Sequence, residues 1–241
     1  SIPRTALRGE DRVWLFQENE INIKSFDLVR SFCLLNKGSL AYRKVDVTYS
    51  DETQAILTNG IQPGEQIIIS LSDEKSLDNA LTGCDALIIA TGARPSIDLT
   101  GPARIDAFGV EKQVASCKRV GINRLILVSS LCAGRWLHPL NFFGLILVWK
   151  RWGERALETS SLDWTVIRPG GLSEKEDALA KENVLFTGPD IQEDAYIPRR
   201  LVARSCIEAV KTPSSVGKII EITSSTSEPP LSMKEAIESL K

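Results

Sequence analysis

Short apolar runs recur along this chain with room for one helix between each neighbouring pair, and that rhythm restricts the fold more than any other feature. The runs are Val13 to Phe16, Ala41 to Val47, Gln66 to Leu71, Ala86 to Thr91, Leu125 to Ser130, Trp164 to Arg168 and Lys218 to Thr223, and they are rich in β-branched residues. Between them lie segments with helical spacing and polar starts: Ser25 to Leu35 before Lys37-Gly38, Ser50 to Leu57 before Asn59-Gly60, and Ser72 to Leu81 before Gly83. Further helices are expected over Ala103 to Val120, ending at Gly121, and over Leu145 to Glu158, Arg199 to Lys211 and Ser232 to Leu240. The middle strands are apolar on both faces, as in a parallel sheet covered by helices on each side. The expected fold class is therefore α/β, a doubly wound parallel sheet in three αβα layers. Residues Ser173 to Ile197 are charged and carry no pattern; they read as an irregular surface excursion or lid.

Composition limits function before any motif is considered. A chain of 241 residues that is 43% hydrophobic supports one sizeable core, so a single domain over 1–241 is expected, with 1–65 its divergent part. The charges, 29 Lys+Arg against 31 Asp+Glu, form no long basic block, which argues against nucleic acid as a partner. The longest apolar candidate, Leu140 to Trp149, is half the length a bilayer crossing needs, so no transmembrane segment is expected. Ser1-Ile2-Pro3-Arg4 lacks an apolar signal core, and five scattered cysteines fit a reducing compartment. Cys33, Cys84, Cys117, Cys132 and Cys206 form no CxxC pair, and with a single histidine no metal site is expected.

From Trp136 to Trp152 the chain changes character. Trp136, Phe142, Phe143, Trp149 and Trp152 cluster there, with Lys150, Arg151 and Arg155 at the edge. One reading is a core helix with a self-association surface over 136–158, making a homodimer. The other is a docking face for a partner protein or peripheral contact with a membrane, since Trp suits polar/apolar boundaries. The sole imidazole, His138, reads as a hydrogen-bonded or solvent-facing loop residue, and Cys132 as a small core residue.

From Gly83 to Ser224 the chain resembles the atypical short-chain dehydrogenase/reductase (SDR) family, and within it the NmrA-like or Tic62-like NAD(P)-binding proteins of cyanobacteria and plastids. Three segments carry the resemblance: Gly83-Cys-Asp-Ala-Leu-Ile-Ile-Ala-Thr-Gly-Ala-Arg-Pro95, Gly121-Ile-Asn-Arg-Leu-Ile-Leu-Val-Ser-Ser130 and Asp163-Trp-Thr-Val-Ile-Arg-Pro-Gly-Gly-Leu172. Ile197-Pro-Arg-Arg-Leu-Val-Ala203 and Gly217-Lys-Ile-Ile-Glu-Ile-Thr223 add to them in the expected order. The resemblance implies a Rossmann-like sheet with a nucleotide crevice at the carboxyl ends of its strands. It places Thr91, Gly92 and Arg94 beside an NADP or NAD cofactor, Pro169-Gly170-Gly171 at its nicotinamide end, and the cytoplasm or plastid stroma as the compartment. Taken alone, either glycine turn reads equally well as an ordinary strand-ending turn.

Two departures from the family qualify that expectation. A dinucleotide-binding SDR carries Gly-x-x-Gly-x-x-Gly between its first strand and first helix, where slim residues let backbone N–H groups reach the diphosphate. Here Arg12 to Phe16 is followed by Gln17-Glu-Asn-Glu-Ile-Asn-Ile-Lys24, without glycine and with Glu18 and Glu20 facing the phosphates' place. Two like charges within ~5 Å cost about 1–3 kcal/mol, so nucleotide affinity is expected to be weak or lost. The second departure is chemical. Active SDRs use Tyr-x-x-x-Lys; Lys150 occupies the lysine position, but Ile146 replaces the phenol and donates no proton. Tyr42, Tyr49 and Tyr196 lie elsewhere, Tyr196 within the excursion. Ser129 and Ser130 fall near the family's catalytic serine, with strand-end capping the favoured role for both. Asp46 and Asp51 fall near the place of a ribose-binding acid. The function expected is an NAD(P)(H)-binding, oxidoreductase-like protein without standard Tyr-dependent hydride transfer. The alternative is a cofactor-free scaffold or assembly factor for a photosynthetic or other complex.

Overall fold

Period-two burial in the central strands builds the sheet. Strand β4 (Ala86–Thr91) is buried at every position, and β5 (Arg124–Val128) at all but its first. Their odd-numbered residues, Leu87, Ile89, Leu125 and Leu127, enter one apolar cluster, and Ile88, Ala90, Ile126 and Val128 enter the other. A strand clothed on both faces needs helices on both, each fully buried Leu or Ile contributing about 1.5–3 kcal/mol relative to exposure. One face is covered by α1 (Glu74–Leu81) and α2 (Val110–Val120), the other by α4 (Arg199–Lys211) and α5 (Met233–Ser239). Helix α2 stops at Gly121, whose left-handed φ of +81° suits a residue without Cβ.

The computed structural model describes residues 30–35, 42–48, 66–71, 73–82, 84–93, 99–142, 144–173, 181–193 and 195–239. The remaining strands are β1 (Arg30–Leu35), β2 (Tyr42–Thr48), β3 (Gln66–Ser70), β6 (Asp163–Pro169), β7 (Gly171–Ser173), β8 (Asn183–Thr187), β9 (Tyr196–Pro198) and β10 (Lys218–Ser225); helix α3 (Ile146–Glu158) precedes β6. The main sheet runs β3-β2-β1-β4-β5-β6-β10-β8, and β7 pairs with β9 in a small second sheet. Pairs β2–β3, β4–β5, β5–β6 and β6–β10 are parallel. This is a Rossmann-like, mostly parallel sheet flanked by helices.

Three expectations are corrected. The segment Ser25 to Leu35, expected as a helix, contains strand β1, which is antiparallel to both β2 and β4, with Ser31 opposite Asp46 and Arg30 opposite Thr91. Leu35 and Tyr42 are too close in sequence for the dozen-residue crossover that parallel pairing requires, so β1 must run against β2. The excursion over 173–197 is in part regular: β8 closes the sheet edge antiparallel to β10, and β9 pairs with β7. The helix expected from Ala103 opens as a π-helical turn, Ala103–Gly109, before α2 begins. The expected strand Val13 to Phe16, the helix Ser50 to Leu57, the loop Gln17 to Lys24, Tyr49, Asp51 and Arg94 lie outside the described residues.

Candidate functional site at the carboxyl ends of the central strands

Strand β4 ends at Thr91, and the backbone two residues beyond it is fastened to a buried carboxylate. The Ala93 N–H donates to Asp106 Oδ2 at 3.1 Å, and Lys150 Nζ donates to Asp106 Oδ1 at 2.8 Å. Asp106 comes from the π-helical turn and Lys150 from α3, and both side chains are largely withdrawn from water. A carboxylate that deep requires a matched charge, which Lys150 provides. Gly153, one turn along α3, makes the contact possible: a Cβ there would stand 2.2 Å from the Asp106 carbonyl oxygen, so only a glycine lets α3 approach this closely. At Gly92 an added Cβ would lie 3.7 Å from Asp106 Oδ1 and 3.8 Å from Lys150 Nζ. The structure thus brings Gly92 and Lys150 together, with Asp106 between them.

Two buried hydroxyls stand at the same end of the sheet. Thr91 and Ser129 are 3% and 6% exposed, yet Thr91 Oγ1 and Ser129 Oγ have no hydrogen-bond partner among the described residues. The β4–β5 register ends with Ile89 opposite Leu127; continued by two residues, it sets Thr91 beside Ser129. An unsatisfied buried hydroxyl costs about 1–3 kcal/mol, and native structures contain few of them. Among the described residues the Ser129 hydroxyl therefore caps nothing, in contrast to the role favoured from sequence. Ser130 is half-buried and accepts the Ala133 N–H through its carbonyl.

The turn Pro169-Gly170-Gly171 has a structural cause of its own. Gly170 N–H donates to Ile222 O at 2.9 Å and Gly171 N–H to Ala195 O at 2.8 Å. An added Cβ would lie 2.3 Å from Ala195 O at Gly170 and 2.6 Å from the Tyr196 ring at Gly171. The passage of β9 over the end of β6 accounts for both glycines. Ile146 opens α3 and packs against Leu131, Cys132 and Leu147, so the position four residues before Lys150 is apolar in surroundings as well as in kind. His138 accepts the Leu140 N–H at Nδ1, 3.3 Å away, as a loop residue. Burial, reinforced by Cys84 and Asp78, pushes the Cys117 thiol up to about 12, so it stays protonated.

Sequence reading missed Asp106 and a buried ionic network behind α3. Arg168 on β6 donates to both oxygens of Glu154 at 2.9 and 2.8 Å and to Asp190 at 3.1 Å; Arg151 also reaches Glu154, at 3.0 Å. Glu221 on β10 accepts the backbone N–H groups of Asp190, Ile191 and Gln192 and so ties that loop to the sheet. Burial works against the Arg168 charge, but the Glu154 hydrogen bonds and the Glu154, Asp190 and Glu221 charges outweigh it and raise the guanidinium above its ordinary range. The available signal was a charged residue, Arg168, flanked by Val166, Ile167 and Pro169 in β6.

Two buried hydroxyls without partners among the described residues, a glycine and an ammonium thus stand at one end of the sheet, groups whose chemistry suits a polar ligand. Arg30 pairs with Thr91 and Leu35 with Ala86, so the chain enters β1 at the carboxyl ends of the parallel strands and leaves it at their amino ends. Gln17 to Lys24, the segment expected at the diphosphate, lies outside the described residues.

A family model described as NAD(P)H-binding matches residues 43–213. The chain belongs to this NAD(P)H-binding family. The match begins after β1, so the antiparallel strand falls outside it. Among relatives, an uncharacterized chloroplastic protein of Arabidopsis thaliana is 36% identical over 165 residues, covering 65% of this chain and 58% of that protein. Sanguinarine reductase of Eschscholzia californica is 29% identical over 235 residues, covering 78% and 85%. Protein TIC 62 of Arabidopsis thaliana, also chloroplastic, is 30% identical over 191 residues, covering 75% and 30%. The chain thus spans little more than half the length of the first chloroplastic relative. A solved NAD-dependent epimerase/dehydratase of Bacillus halodurans superposes with a TM-score of 0.62 at 26% identity, covering 74% and 79%. The resemblance to atypical, Tic62-like SDR proteins holds in these matches. No helix among the described residues is long and apolar enough to cross a membrane.

Proposed function

We propose that this NAD(P)H-binding family member holds NADP(H) or NAD(H) weakly at the carboxyl ends of β4 to β6 and performs no Tyr-dependent hydride transfer. The observation that carries the reading is the pair of buried hydroxyls, Thr91 Oγ1 and Ser129 Oγ, without partners among the described residues and at the same end of the sheet as the Lys150–Asp106 pair. NAD(P)H, when bound, supplies a hydride. Thr91, Gly92, Arg94, Lys150 and the turn Pro169-Gly170-Gly171 form the cofactor's surroundings in this reading, with Ser129 hydrogen-bonding to it and Ser130 at the rim. Asp106 fixes the Lys150 ammonium and the β4 turn in one arrangement. Ile146 donates no proton, so a carbonyl substrate would lack the acid that standard reduction requires. The weakness is expected from the sequence of Gln17 to Lys24, which has no glycine and carries Glu18 and Glu20. The relatives named chloroplastic support the plastid stroma, a reducing compartment, as its location.

Titration of NADPH and NADH against protein tryptophan fluorescence tests this, with Lys150→Met alongside. Saturation in the wild type at about 0.1–1 mM, and at least about tenfold weaker in the variant, is expected. No saturable change up to about 1 mM would overturn the proposal.

A second reading, a scaffold or homodimer contacting partners through 136–158, is favoured by the exposed face of α3. Trp149 lies 6.5 Å from the Phe108 ring and 6.3 Å from that of Trp152, and Phe108 and Trp152 are both exposed. A folded Trp149→Ala/Trp152→Ala protein with unchanged partners and unchanged size in solution would count against it.

A further inference from the structure

The loop between β5 and α3 holds apolar side chains outward, clear of the protein. Trp136 is 71% exposed, Leu137 99%, Leu140 45% and Phe142 86%. Such a cluster needs a cause, because monomeric surfaces seldom gather so many large apolar groups in one place. The loop is held rigidly in this form. Buried Asn141 donates to the carbonyls of Arg135 and Trp136 at 2.9 and 3.0 Å, and its Oδ1 accepts the Leu147 N–H at 3.0 Å. The His138 N–H returns to Arg135 O at 3.3 Å. With the backbone fixed, these side chains do not fold back onto the core.

Charge favours one kind of occupant. From Lys112 to Gly153 the chain has no Asp or Glu, and of its seven Lys or Arg, three (Arg119, Lys150 and Arg151) are paired with Asp78, Asp106 and Glu154. Arg135 and Arg155 share a cleft with Trp136 and form no ion pair among the described residues. Shape favours the same occupant. Leu137, at 99% exposed, and Phe142, at 86%, do not line that cleft and project beside it, and the four apolar groups together would bury roughly 500 Å², below the ~800 Å² that a stable protein contact takes from each side. A fluid bilayer conforms to projecting side chains, whereas a folded partner must supply a matching groove.

We propose that Trp136, Leu137, Leu140 and Phe142 insert into the surface of a membrane carrying anionic lipid, with Arg135 and Arg155 at the headgroup level. This inference does not depend on nucleotide binding. Co-sedimentation of the full chain with vesicles made of equal parts phosphatidylcholine and phosphatidylglycerol, or of phosphatidylcholine alone, tests it, with size measured in solution. The wild type is expected to sediment with the mixed vesicles, less with the neutral ones, and less as salt rises. The double variant Leu137→Asp/Phe142→Asp, which changes only exposed positions, is expected to keep the wild-type melting temperature and lose at least about tenfold in partitioning. Three results would overturn the proposal: a wild type that stays in the supernatant at every lipid concentration, a folded double variant that sediments as the wild type does, or a wild-type dimer that the variant abolishes without any vesicle binding.

Discussion

Replacing Thr91 with Val separates stability from ligand binding at the centre of the site. The Thr91 side chain is buried at the end of β4, and its hydroxyl has no partner among the described residues. An unsatisfied buried hydroxyl costs about 1–3 kcal/mol, and valine removes it at nearly constant shape. The protein without nucleotide should therefore gain about 1 kcal/mol, a rise of about 2–4 °C in melting temperature for a chain of this size. Nucleotide binding should move the other way. Loss of one hydrogen bond of about 0.5–1.5 kcal/mol weakens NADPH by about 2- to 12-fold. Thr91→Ser keeps the hydroxyl and should retain affinity while losing the methyl's packing. Thermal unfolding followed by circular dichroism, with and without NADPH, reads both effects. A Thr91→Val protein that melts below the wild type without nucleotide would refute the reasoning, since the hydroxyl would then have a partner in the folded chain.

Gly153→Ala places a Cβ 2.2 Å from the Asp106 carbonyl oxygen; α3 must retreat, at a cost of about 1–3 kcal/mol, and NADPH titration should show affinity lost along with the Lys150–Asp106 contact. Glu154→Ala leaves buried Arg168 without its bidentate acceptor and should cost about 3–5 kcal/mol in urea unfolding; a loss below about 1 kcal/mol would contradict the network's role. Arg119 hydrogen-bonds Asp78 and holds its carboxyl below the usual carboxylate range. A lowered folded-state pKa stabilises above the unfolded value, so the melting gap between wild type and Asp78→Asn should be full near about pH 6 and close as pH falls below about 4.

What was legible in the sequence was whatever one segment decides alone. The limits of β4 and α4 fall where the apolar run and the helical spacing place them; Gly92 and Lys150, both named from the sequence, lie close together. Ser25 to Leu35 was misread because a short apolar run fits either period; β1 owes its state to hydrogen bonds with β2 and β4, distant partners that no local spacing reveals. Strand β8 was hidden for the same reason: β10 supplies its ladder. In the site, Asp106 gathers an amide from beyond β4 and an ammonium from α3, so its role exists only after folding. The Pro169-Gly170-Gly171 turn shows the converse case, a motif visible in sequence whose glycines answer to Ala195 and Tyr196.

The decisive comparison is calorimetric, between NADPH and reduced nicotinamide mononucleotide, which lacks the adenylate and the diphosphate bridge. If the crevice keeps its nicotinamide wall but Gln17 to Lys24 forms no phosphate cradle, the whole dinucleotide should bind no more than about tenfold more tightly than the fragment. An advantage of about a thousandfold or more for NADPH would contradict the account.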